Sequence, residues 1–86
     1  MMNQDRLFQN RKLQLMRTAE ATTPGRLRFI AIQYLCSFSR ISPYEMAAAL
    51  ANDGFEILFD NSAISKTERE AERRKFNHSL KEAQQL

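Results

Sequence analysis

The run from Leu27 to Phe38, LRFIAIQYLCSF, constrains this chain more than any other stretch. Nine of its twelve residues are apolar or aromatic, and the exceptions are Arg28, Gln33 and Ser37. Wound as an α-helix it carries two adjoining apolar stripes. Leu27, Ile30, Ala31, Tyr34, Leu35 and Phe38 form one, and Phe29, Ile32 and Cys36 form the other. A helix that is apolar around most of its circumference has to be covered by its neighbours. At twelve residues it is also too short to cross a bilayer, which takes about 20 apolar residues. The run is therefore expected to be the central, buried helix of a small all-α domain, with Leu27, Ile30, Ile32, Tyr34, Leu35 and Phe38 inside.

A chain of 86 residues is read as one helical domain, residues 1–86. At this size folding buries only about 60 to 65% of the surface the unfolded chain exposes, so the core is a single layer of contacts. The single cysteine, Cys36, excludes an intramolecular disulfide and a cysteine-based metal site, which fits a reducing compartment. Lying inside the apolar run, its thiol is expected to be buried and inert. The first residues, MMNQDRLFQNRK, hold charges and amides where an export signal needs an apolar stretch, so a cytoplasmic protein is expected.

Start and stop signals divide the chain into four helices, at about 4–20, 24–40, 43–53 and 66–84. Asn3 is placed to cap the first, with Asp5 in its opening turn. Thr23 and Pro24 supply an N-cap and a first helical residue for the second. The segment Ile41–Met46, ISPYEM, carries the clearest signature. Ser42 and Glu45 form a capping box, Pro43 takes the first position, and Ile41 can staple to Met46. In the third helix Ala47, Ala48, Ala49 and Ala51 allow a close approach to a neighbour, with Met46 and Leu50 as larger knobs, and Gly54 follows as a left-handed cap. Ser65 and Glu68 repeat the capping box before the fourth helix.

Two stretches stay open. Phe55–Phe59, FEILF, alternates like a strand but has no evident partner in the chain. It is expected to be an ordered loop whose aromatics close the core, the alternatives being a strand shared with a second copy or a helical turn. The last helix is mostly charged, and only Phe76, Leu80 and Ala83 make an apolar stripe at i, i+4 and i+7. Residues 66–86 can fold back on the domain or protrude and grip a partner.

Net charge is +3, unevenly spread. Residues 1–40 hold seven Lys and Arg against Asp5 and Glu20, whereas residues 41–65 hold only the acids Glu45, Asp53, Glu56 and Asp60. Such a partition can steer an anionic partner or let two copies meet head to tail. No constellation supports catalysis. His78 is the only histidine, Gly25 and Gly54 are isolated, and the acids lack a calcium-loop pattern, so neither cofactor nor metal is called for. The reading is a small regulatory binding protein, of adaptor or inhibitor type, acting on a larger protein through helix contacts and self-associating as a dimer. Its partner surface is expected at Phe76, Leu80 and Ala83 with Arg69, Arg73 and Arg74. The alternative is a DNA-binding regulator with an atypical helix-turn-helix, touching phosphates through Arg6, Arg11, Lys12, Arg17, Arg26 and Arg28.

Overall fold

In the computed structural model, four helices and a two-stranded sheet follow in the order α1 (Met2–Thr22), β1 (Arg26–Arg28), α2 (Phe29–Cys36), α3 (Pro43–Asn52), β2 (Glu56–Leu58) and α4 (Lys66–Gln84). The structure describes residues 2–22 and 25–84, with side chains placed at 6–17 and 25–84. The two serine caps act as the sequence predicts. The Glu45 N–H donates to Ser42 Oγ at 3.4 Å and the Glu68 N–H to Ser65 Oγ at 3.1 Å, each satisfying an amide that the first helical turn leaves unpaired. Gly54, at φ +99°, takes the left-handed conformation that ends α3. The first helix begins at Met2, so Asn3 lies within it and not ahead of it.

The second helix departs from expectation. Thr23 and Pro24, its predicted start signals, lie outside the described residues. Gly25 sits at φ +78°, which no right-handed helix contains, and the backbone then runs extended through Arg26–Arg28. Only at Phe29 does α2 begin, behind Arg28 in the extended region, and it ends at Cys36. The strand has the alternating burial of a half-covered sheet, with Leu27 inside and Arg26 and Arg28 outside.

Its partner is the FEILF segment. β1 and β2 run parallel, with Arg26 opposite Glu56, Leu27 opposite Ile57 and Arg28 opposite Leu58, and the Glu56 N–H donates to the Gly25 carbonyl at 2.8 Å. The expected ordered loop is thus a strand paired within the chain. Parallel strands need a long crossover, and here α2 and α3 form it.

The shortened α2 also turns a different face inward. Phe29, Ile32 and Cys36 are buried and Leu35 packs beside them. Ile30, Tyr34 and Phe38, expected in the core, are 40%, 69% and 67% exposed. Of the two apolar stripes, the narrower one faces the core. The domain's centre is α3, which packs against α1, α2, β2 and α4. Met46, Ala47, Ala48 and Leu50 are all buried there, the alanines letting neighbouring backbones come close. Phe59, beyond β2, completes the core by stacking on Phe29 at 4.8 Å between ring centroids.

Truncating fully enclosed side chains leaves cavities, so Ile32→Ala and Leu50→Ala are each expected to cost about 2 to 5 kcal/mol in urea unfolding. At concentrations low enough to keep the chain monomeric, Ile30→Ala on the outer stripe is expected to cost under about 1 kcal/mol.

Candidate functional site

The groups able to carry covalent or acid-base chemistry are dispersed. His78 stands on α4 with Nε2 2.8 Å from Glu82 Oε1, one helical turn on, and both side chains face solvent. Cys36 is enclosed in the core. Burial pushes its thiol up, with the positive charge of Arg11 acting in the opposite direction, so the nucleophilic thiolate is disfavoured. Among the described residues no three His, Cys, Asp or Glu side chains converge on a common point, and no helix is long and apolar enough to cross a membrane.

Because the folded state holds the Cys36 proton more tightly than the unfolded chain does, this group's stabilising contribution is complete below its ordinary value near 9 and falls as pH rises above it. Thermal unfolding between pH 8 and 10.5 is expected to show a decline that Cys36→Ala flattens. Thiol reagents at pH 8 are expected to label Cys36 only at the rate at which the domain opens.

The uneven charge along the sequence is largely closed within the fold. Lys12 Nζ lies 2.9 Å from Asp53, Arg26 Nε 3.0 Å from Glu56 and Arg28 Nε 3.2 Å from Asp60. Each pair joins the basic first half to the acidic middle, two of them across the sheet. Arg6 and Arg17 are exposed on α1, while Arg11 is half-buried and donates from Nη1 to Gln14 at 3.2 Å. The six residues considered for phosphate contact are therefore spread over α1 and β1, and three already hold an anion. Exposed ion pairs are worth about 0 to 1 kcal/mol, so their effect is to neutralise the surface more than to stabilise the fold.

The C-terminal helix folds back. Phe76 is half-buried, its ring 5.3 Å from that of Phe59, and Leu80 and Ala83 are half-buried too. Ala83 borders a shallow hollow with Phe8, Ala48 and Ala49. Gln33 Nε2 donates to Glu72 at 2.6 Å and ties α4 to α2, while the Lys75 ammonium lies 5.6 Å from the Tyr44 ring. The guanidinium of Arg73 lies 5.7 Å from the Phe59 ring centroid, Arg69 is half-buried one turn earlier, and Arg74 is exposed. The apolar stripe assigned to a partner is thus half-buried against the domain itself, with Arg69 half-buried beside it and Arg73 and Arg74 exposed. Phe76→Ala is expected to lower unfolding stability by about 1 to 3 kcal/mol, less than for a fully enclosed phenylalanine.

Two surfaces go beyond the sequence reading, although the α4 wall of the second is made of Arg69, Arg73 and Phe76, which that reading gave to a partner. One is the outer face of α2 together with the turn after it, where Ile30 and Tyr34 on the helix and Phe38 beyond its end are exposed. Tyr34 and Phe38 pack edge to face at 5.2 Å, and Phe38 borders a hollow with Leu7, Phe8 and Ile41. The other is a trough of about 540 Å³ between β2 and α4, bordered by Arg69, Arg73 and Phe76. The signal that could have found the first was the glycine ahead of the Arg-Leu-Arg alternation, since a helix starting at Phe29 leaves the wider stripe outside. No protein-family model, curated protein or solved structure matches this chain.

Proposed function

We propose that this chain is a small regulatory binding protein that works through protein contact, and that the outer face of α2 is where a second copy docks. The carrying observation is the stripe Ile30, Tyr34 and Phe38, three large exposed side chains, two on the outer face of α2 and the third in the turn that follows it. Single exposed apolar residues are ordinary on any protein, but a contiguous row continued by a hollow is the usual mark of an interface. Aromatic side chains also supply much contact area at little conformational cost.

A second copy suits this face for two reasons. An apolar stripe is self-complementary, so one patch on each protomer suffices for a two-fold dimer. A stable pair buries about 800 Å² per protomer. Phe38 also borders the hollow lined by Leu7, Phe8 and Ile41, which extends the apolar face beyond the helix. The adaptor or inhibitor role, with a larger protein as final partner, rests on the same exposed apolar face.

Sedimentation equilibrium between about 1 and 500 μM tests the reading. A concentration-dependent dimer is expected, and Tyr34→Ser combined with Phe38→Ser is expected to abolish it. The helical circular dichroism of the monomer should be retained, since both side chains are more than half exposed. A strict monomer that shifts duplex DNA with a steep salt dependence would replace this reading with the nucleic-acid one.

A further inference from the structure

We propose that the trough between β2 and α4 binds an extended acidic peptide segment, which adds to the free edge of β2 and sets alternate carboxylates against Arg69 and Arg73. This goes beyond self-association through α2 and uses other residues.

The trough runs along an edge of the sheet. It is bordered by Glu56, Ile57, Leu58, Phe59 and Asp60 in unbroken succession, and residues of both parities can border one space only where that space faces a strand's side. β1 occupies the opposite side. In a parallel ladder alternate residues of a strand bond to the same neighbour. The Glu56 N–H donates to Gly25, and the register then gives Glu56 and Leu58 to β1. The N–H and C=O of Ile57 are left pointing away from β1, toward the trough. An open strand edge beside a groove is the arrangement by which extended peptides are captured, main-chain bonds supplying affinity and flanking side chains the selectivity.

The flanking side chains select for acid. Arg69 and Arg73 stand one helical turn apart, which separates their Cβ atoms by about 6 Å. Side chains at i and i+2 of an extended chain are about 6.6 to 6.8 Å apart, so two acidic residues at alternate positions match the two arginines. Neither arginine has an ion-pair partner among the described residues, and Arg69 Nε is buried with no acceptor. Arg73 is held over the Phe59 ring. The acids at the rim, Glu56 and Asp60, are already paired with Arg26 and Arg28, at 3.0 and 3.2 Å. The exposed Glu68 and Glu70 on α4 take no part in bordering the trough.

The probe is a capped, fluorescein-labelled hexapeptide of alternating Glu and Val, titrated into the full chain by anisotropy and by ¹⁵N amide shifts. Binding is expected to move the amides of residues 56–60 and 69–77. Arg69→Gln combined with Arg73→Gln should weaken it at least tenfold, whereas Tyr34→Ser with Phe38→Ser should leave it unchanged even as the dimer is lost. N-methylating the peptide at alternate nitrogens, which leaves the protein untouched, should also weaken binding at least tenfold. The peptide with Lys in place of Glu should not bind. No binding at millimolar peptide, equal binding of the Lys peptide, or indifference to N-methylation would each overturn the proposal. So would displacement of the peptide by duplex DNA that moves the same amides, which would make the trough a phosphate site.

Discussion

The parallel pairing of Arg26–Arg28 with Glu56–Leu58 is the contact on which the rest of the architecture depends. It is only three residues long, yet it decides where the apolar run stops being extended and starts being helical. Gly25 makes the pairing accessible by turning the chain through a positive φ, which other residues adopt only at a cost. Because α2 then begins at Phe29, its rotation about its own axis is set, and with it the identity of the residues that reach the core. Phe29, Ile32 and Cys36 go in; Ile30, Tyr34 and Phe38 stay out.

Around that pairing the domain is assembled on α3. A helix whose buried residues include two alanines can be approached closely from several directions, and Met46 and Leu50 fill what space remains. This is how a chain of 86 residues with a single cysteine encloses a core. The C-terminal helix has too few apolar residues to stand alone as a stable element, and packing Phe76 against Phe59 gives it a place. Its charged side chains then line the outside, some held by cation–π contacts and by the Gln33–Glu72 hydrogen bond.

Folding also rearranges the electrostatics. A chain that is basic at both ends and acidic in the middle looks suited to long-range attraction, but Lys12, Arg26 and Arg28 meet Asp53, Glu56 and Asp60 across α1–α3 and the sheet. What remains is a surface of mixed sign on which Arg69, Arg73 and Arg74 of α4 are among the cations without an ion-pair partner among the described residues. The two surfaces with unspent interaction capacity are thus of different kinds, an apolar helix face and a cationic trough beside a strand edge.

The sequence by itself determined the elements whose signals are local. The serine caps at Ser42 and Ser65, the left-handed Gly54, the alanine-rich approach face of α3 and the extent of α4 follow from signals carried within a few residues, so tertiary context had little to alter. The enclosed Cys36 was legible for the same reason, lying inside an apolar run whichever way that run is wound. Only the tertiary structure decided which stripe of α2 is covered, because that depends on a strand partner 30 positions away. In Arg26–Arg28 the alternation is too short to stand out against the helical periodicity that follows it, and no local signal links FEILF to it. The trough needed both events: the pairing left one edge of β2 open, and the return of α4 set Arg69 and Arg73 beside it.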